Sequence, residues 1–296
     1  MKITFLGTSA MQPTKERNLS AILLNYENEN ILVDCGEGTQ RQFRLIDLKP
    51  TKITKILISH MHGDHIFGLP GLIQNLEVNN YNGMLEIYGP KGIKEFFNFL
   101  FKLGVFKKLK YKIIEIKEGI ICKEKNFMIK ASKLNHYGLC YGFEFLEKDK
   151  RKINLDYLKK FGLKQHPIIK NLQQGKSIIW EKKKIDVNKA TTLIKGKKIA
   201  FVLDTVYCNN CLKLAKDADL VISEATFTDD LREKAKEYKH LTAKQAAEIA
   251  KKSKAKKLVL THFSQRYKDI NDVLKEAKSV FKETICAEDF LEINLQ

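Results

Sequence analysis

Residues 60 to 65 read His60-Met61-His62-Gly63-Asp64-His65, three imidazoles and a carboxylate within six positions. Brought together without a partner, such groups are costly to desolvate, so the cluster implies something that binds it. Neutral imidazole nitrogen and carboxylate oxygen form the donor set for zinc, and manganese and iron accept the same atoms. The segment ahead, Ile53-Thr54-Lys55-Ile56-Leu57-Ile58-Ser59, is apolar and β-branched and predicts a buried strand. His60 then falls where that strand ends, and a turn can fold the following side chains toward one point.

Other candidate ligands repeat this placement. His136 follows the strand-like run Phe127 to Leu134, Asp204 ends the apolar run Lys198 to Leu203, and His262 ends Lys257 to Thr261. Loops at the ends of strands are where a sheet collects chemistry along one edge.

In this order the residues resemble the metallo-β-lactamase superfamily, whose metal motifs are HxHxDH, a distant His, a bridging Asp and a last His. The resemblance implies an α/β chain folded as a four-layer αββα sandwich. It also implies two divalent metal ions, zinc first, with manganese or iron as alternatives. His60, His62 and His136 would hold one ion, Asp64, His65 and His262 the other, and Asp204 would bridge them. Bridged ions lie roughly 3.5–4 Å apart, a spacing suited to in-line displacement at phosphorus.

Further segments are similar to one branch, the tRNA 3′-processing endonucleases of the RNase Z family. Pro13-Thr14-Lys15-Glu16-Arg17-Asn18 resembles PxKxRN, and Asp34 to Gln40 matches DxGxxxQ. Glu224-Ala225-Thr226 resembles the end of a HEAT segment, with Ser223 in place of its His. His240-Leu241-Thr242 resembles HST, with Leu241 in place of Ser. By that resemblance Lys15, Arg17, Asn18 and Thr242 are expected to contact substrate. Guanidinium binds phosphate in bidentate fashion, which suits Arg17.

The chemistry can be read from the residues themselves. Cleaving a phosphodiester needs an attacking water, charge neutralisation and a proton for the departing 3′-oxygen. Asp64 is the candidate general base. His240 is the candidate donor to the leaving group, because imidazole holds a transferable proton near neutral pH. Glu224 can orient that ring and favour its protonated form. Thr242-Ala243-Lys244-Gln245 has the spacing of a capping box and predicts a helix start directly after His240.

Composition sets bounds. No apolar run of the 296 residues approaches the roughly 18 needed to span a membrane. Strand patterns are spread evenly, so a single domain over 1–296 is expected. Met1 to Gly7 reads directly as a strand, with no signal peptide, and cytoplasmic location is expected. The six cysteines show no disulfide-framework spacing and are expected reduced. Cys208-Asn209-Asn210-Cys211 has no second pair to complete a four-ligand zinc site, so it reads as part of the Asp204 loop.

The net charge is +18, and it is concentrated. From Leu146 to Lys198 there are 16 basic and five acidic side chains, the electrostatic footprint of a nucleic-acid partner. In RNase Z relatives an arm with a Gly-Pro motif is inserted here and grips tRNA. Around Pro167 and Gly175 the register is similar, with His166 in place of the Gly. Ala21 to Tyr26 and Asn30 to Val33 read as a hairpin, and Ile93 to Leu103 and Val273 to Phe281 as helices.

The expected function is removal of the 3′ trailer from precursor tRNA after the discriminator nucleotide, by a homodimer. One rival is another phosphodiesterase or small-molecule hydrolase on the same fold. A second is a non-catalytic RNA-binding protein. The PxKxRN-like stretch and the basic arm oppose the first, and the complete ligand set opposes the second.

Overall fold

The computed structural model describes residues 1–295. Its chain divides into two compact units, one of 1–123, 129–145 and the residues from 198 onward, the other of 124–128 and 146–197. The second unit takes in most of the basic residues between 146 and 198.

In the larger unit a seven-stranded sheet runs in the order Glu292–Asn294, Lys2–Gly7, Ala21–Tyr26, Glu29–Val33, Lys55–Leu57, Leu85–Gly89 and Tyr111–Glu115. A second sheet of seven runs Thr284–Cys286, Leu258–Thr261, Leu220–Glu224, Lys198–Val202, Cys140–Glu147, Phe127–Leu134 and Gly119–Lys123. Alternation of side chains along each strand builds two faces. Leu23, Leu32, Ile56 and Ile87 pack under the helices Thr39–Leu45, Leu69–Val78 and Ile93–Lys102, through Phe43, Leu72, Leu76 and Phe97. Ala200, Val202, Val221 and Leu260 pack under Asn209–Ala215, Ala243–Lys252 and Asn271–Val280. The alternate residues Leu24, Ile31, Val33, Phe201, Ile222 and Val259 are buried as well. Tyr26 of the first sheet meets Phe145 of the second edge to face, 5.1 Å between ring centroids. The layers are helices, sheet, sheet and helices: an αββα sandwich.

Parallel pairing is what positions the site. Glu29–Val33, Lys55–Leu57 and Leu85–Gly89 are parallel neighbours, with Val33 opposite Leu57. Lys198–Val202, Leu220–Glu224 and Leu258–Thr261 are parallel as well, with Val202 opposite Ser223 and Glu224 opposite Thr261. The carboxyl ends of each set therefore reach one edge together, and the residues that follow them are Asp34, Ser59-His60, Asp204 and His262. Open α/β sheets place their sites at such edges.

The strand predicted over 53–59 is shorter than the pattern. Ile53 closes a 3-10 turn at Pro50–Lys52, and Ser59 has left the sheet to donate to Asp34. Among the described residues no helix is long and apolar enough to cross a membrane.

The smaller unit has its own core of Leu158, Leu163, Leu172, Ile178, Ile185, Val187 and Ala190. Lys150–Ile153 pairs antiparallel with Thr191–Ile194, and Ile178–Trp180 with Lys183–Ile185. Glu181 and Lys182, with φ of 46° and 59°, make the left-handed two-residue turn that matches strand twist. Trp180 packs against the core, and the exposed His166 lies against it with ring centroids 4.8 Å apart. Lys164, Lys170, Lys176, Lys182, Lys183 and Lys184 are exposed.

Candidate metal centre and active site

All seven predicted ligands converge. The nitrogens of His60, His62 and His136 form one group, and Asp64, His65 and His262 form another, with donor atoms in each group within 4.8 Å of one another. Asp204 lies between them. Its Oδ2 is 3.8 Å from the Nε2 atoms of His60 and His136 and 3.4 Å from His65 Nε2, and its Oδ1 is 3.4 Å from His262 Nε2. Asp64 Oδ2 is 3.4 Å from both His65 Nε2 and His262 Nε2. Ligands bonded to one tetrahedral ion at 2.0–2.1 Å lie about 3.4 Å apart, so this spacing suits donors arranged around ions.

The far side of four of the five ligand rings, those of His60, His65, His136 and His262, is held. Asp34 Oδ2 is 2.7 Å from His65 Nδ1, and its two oxygens also accept the Ser59 N–H and hydroxyl, both at 2.8 Å. The Ser59 hydroxyl lies 2.9 Å from His60 Nδ1. His136 Nδ1 donates to the Lys239 carbonyl at 2.9 Å, and His262 Nδ1 meets the Thr226 hydroxyl at 3.0 Å. Partners on one ring nitrogen orient the other toward a metal. Asp34 and His262 adopt left-handed backbone, φ 58° and 59°, a conformation an ordinary residue keeps only where its surroundings impose it.

The site fits divalent cations on charge and on unmet bonds. Asp34, Asp64 and Asp204 are buried together, and among the described residues no lysine or arginine is ion-paired to them. Buried negative charge demands a counter-charge. Asp204 Oδ1, His65 Nε2 and His262 Nε2 are buried without a hydrogen-bond partner. Burial holds His60, His62 and His136 below the usual imidazole range, hence neutral, the form that binds metal. His65 goes the other way: burial opposes its charge, and Asp204, Asp34 and Asp64 outweigh burial. A proton there stands in for the cation those carboxylates attract.

Beside the ligands lies a second pair. His240 Nδ1 is 3.1 Å and 3.2 Å from the two oxygens of Glu224, and 3.9 Å from Asp204 Oδ2. Glu224, 0% exposed, also accepts the Thr205 N–H at 2.8 Å and the Thr226 hydroxyl at 2.6 Å. Burial works against charge on His240, but Glu224 outweighs it with help from Asp204, and the pKa is raised to about 9. His240 is thus a protonated imidazole beside the cluster.

The other expected residues are placed differently from one another. Lys15 is exposed, free to meet a polyanion. Arg17 is buried, and its Nη2 donates to the Tyr267 carbonyl at 2.5 Å. Asn18 donates from its backbone to Asp289 at 2.7 Å and from its side chain to the Glu37 carbonyl at 2.9 Å. Thr242 is wholly buried and closes the predicted capping box with Gln245, its hydroxyl also donating to Asp229.

Sequence reasoning missed the supporting shell of Ser59, Thr205, Thr226 and the Lys239 carbonyl, and it noted Asp34 only as part of a motif. Asp289 was also missed. It accepts from Thr8 and Asn18, and from Gln42 at 2.8 Å, and so ties down the 13–18 segment. An aspartate directly after a buried strand was the available signal for Asp34. Tyr137, half exposed, sits 6.3 Å from His62 ring to ring, with the Lys239 ammonium 4.7 Å over it.

Comparisons with known proteins identify the family. A profile described as "Beta-lactamase superfamily domain" matches residues 182–263, and one described as "Anti-Pycsar protein Apyc1" matches 1–137. Ribonuclease Z of Bacillus mycoides (strain KBAB4) is 39% identical over 98% of this chain and 97% of its own. Ribonuclease Z of Bacillus cereus (strain B4264) is 38% identical, with the same coverage of 98% and 97%. Among solved structures, the human short-form tRNase Z is 33% identical, covers both chains completely and has a TM-score of 0.75. The metallo-β-lactamase-fold protein YhfI of Bacillus subtilis, 22% identical with a TM-score of 0.72 over 99% of this chain, shares the fold. A relative this similar along its whole length leaves one assignment: the chain belongs to the ribonuclease Z family and carries its metallo-β-lactamase fold.

Proposed function

We propose that the chain removes the 3′ trailer from precursor tRNA, hydrolysing the phosphodiester after the discriminator nucleotide and leaving a 3′-hydroxyl on the tRNA. The observation that carries the reading is a buried seven-ligand cluster with a protonated His240 held by Glu224 at its side. Two divalent ions, zinc first and manganese or iron in its place, would be held by His60, His62 and His136, by Asp64, His65 and His262, and by Asp204 between them, supplying charge neutralisation at phosphoryl oxygens and an acidified water.

The protein's own groups supply the remainder. Asp64, fixed by the Met11 N–H at 2.9 Å, faces the cluster as the carboxylate that takes the proton of the attacking water. His240, with Nδ1 committed to Glu224, offers the proton on Nε2 to the departing 3′-oxygen. Lys15 and the exposed lysines of the smaller unit attract the phosphate backbone. Arg17 and Asn18 shape the segment carrying Lys15, and Thr242 fixes the helix start that follows His240. We take the enzyme to work in the cytoplasm as a homodimer.

Cleavage of a 5′-labelled precursor tRNA, with and without zinc or manganese, tests the reading at nucleotide resolution. A single metal-dependent cut at the discriminator is expected. Efficient hydrolysis of small phosphodiesters by protein that leaves precursor tRNA intact would replace it with a small-molecule hydrolase. Asp289→Ala is expected to raise KM for precursor tRNA by about three- to tenfold while kcat changes little, because it frees the Asn18 segment and spares the ligands. Steady-state kinetics decides it: an unchanged KM removes Asp289 from substrate positioning.

A further inference from the structure

Cys208 and Cys211 belong to no part of the chemistry above, yet their Sγ atoms lie 3.4 Å apart. We propose that they are a reversible thiol–disulfide pair whose closure slows the adjacent active site. A disulfide needs a separation of about 2.05 Å, so closing the pair draws the sulfurs together by little more than 1 Å. The pair is also asymmetric in the way exchange requires. Cys208 is partly exposed at the start of the helix Asn209–Ala215, and Cys211 is fully buried behind it. Hydrogen bonding from the Cys211 thiol, and from the Cys211 and Asn210 N–H groups, pulls Cys208 down to about 5, while Cys208 and burial push Cys211 up. Among the other four cysteines, Cys35, Cys122 and Cys140 are buried, and burial raises Cys286 to about 12. The oxidation is therefore selective for this pair.

The step balances with a low-molecular-weight disulfide such as glutathione disulfide. The Cys208 thiolate attacks one sulfur of the oxidant, forming a mixed disulfide and releasing one thiolate. Cys211 then loses its proton and attacks Cys208 Sγ, releasing the second thiolate. The protein thiols are oxidised by two electrons and the oxidant is reduced to two thiols.

Coupling runs through Thr205, the residue after Asp204. Its hydroxyl is 4.0 Å from Cys208 Sγ, donates to the Val206 carbonyl and accepts the N–H of Asn135, the neighbour of His136. Its own N–H holds Glu224, and Cys211 Sγ contacts the Val206 carbonyl at 3.8 Å. Drawing the sulfurs together disturbs the loop that fixes Asp204, His136 and Glu224 relative to one another. Pairing of the thiols stands on geometry alone, whereas its effect on cleavage rests on the function proposed above.

The test equilibrates metal-loaded protein in glutathione/glutathione disulfide buffers, then counts alkylatable thiols, maps the disulfide by mass and assays precursor tRNA cleavage. The six thiols are expected to fall to four, with a Cys208–Cys211 link, as one two-electron transition. The oxidised chain is expected to cleave about tenfold more slowly, reversed by dithiothreitol, since small displacements at a catalytic site carry large rate effects. Cys208→Ser and Cys211→Ser should each keep basal cleavage and lose the response. A pair that stays reduced at full glutathione disulfide, a stable glutathione adduct on Cys208, or equal rates for oxidised and reduced chains each overturn the proposal. Reduced protein that cleaves no tRNA counts against the function instead, and the thiol count still judges the pairing.

Discussion

Replacing Asp204 with alanine is expected to abolish metal-dependent cleavage, lowering kcat on the order of 10⁴-fold or more, because water activation and charge stabilisation are lost together. The carboxylate is 2% exposed and lies within 4 Å of nitrogens from both ligand groups, through His60, His136, His65 and His262. Among the described residues no other carboxylate is paired with nitrogens of both sets, so its removal separates two half-sites. Metal content, measured on purified protein, should fall toward one ion or none per chain. Added zinc should also raise the melting temperature of the unaltered chain more than that of the variant, since an ion that binds only the folded state stabilises it by mass action. Asp204→Asn retains one acceptor oxygen and the shape, so it should retain more metal than alanine while cleaving almost as poorly. A variant with full metal content and a rate within tenfold of the parent would show that Asp204 does not link the two groups.

The parts of this site legible in the sequence share one property: they follow strands. Asp204, His136 and His262 each sit within two residues of a strand whose apolar run is plain in the sequence, and parallel register brings such positions to one edge. The αββα layering was legible through the resemblance to the metallo-β-lactamase superfamily, and strands such as Leu220–Glu224 and Leu258–Thr261 are buried on both faces as that layering requires. What escaped was whatever depends on distance in three dimensions. Asp289 is 271 residues from Asn18, and Thr226 is 36 from His262. A lone aspartate or threonine in a loop gives no sign of what it will hold. Arg17 was read as a phosphate clamp because of its type, and burial has turned its guanidinium inward to the Tyr267 carbonyl. Its hydrogen bonds are spent in part on the fold.

His240→Ala is expected to lower kcat by about 10²- to 10⁴-fold with KM and metal content nearly unchanged, the usual worth of a general acid. The ring lies outside the two three-residue ligand groups, so its loss should spare the ions. A substrate with sulfur in place of the bridging 3′-oxygen separates proton donation from mere structure. Thiolate departs without protonation, so His240→Ala should lose far less on that substrate. Glu224→Gln isolates the charge that holds the proton. The donor must be protonated, so the rate is level below the His240 pKa and falls above it. Without ions that pKa is about 9, and bound dications push it lower, making 9 a ceiling for the alkaline limb. Glutamine keeps the volume of Glu224 but removes the largest influence opposing burial. The limb should therefore move to lower pH by at least about one unit, the shift that some 1.4 kcal/mol of lost charge interaction produces. If the alkaline limb stays in place in Glu224→Gln, the proton comes from another group. If His240→Ala loses as much on the sulfur substrate as on the natural one, His240 positions the phosphate and does not donate to the leaving oxygen.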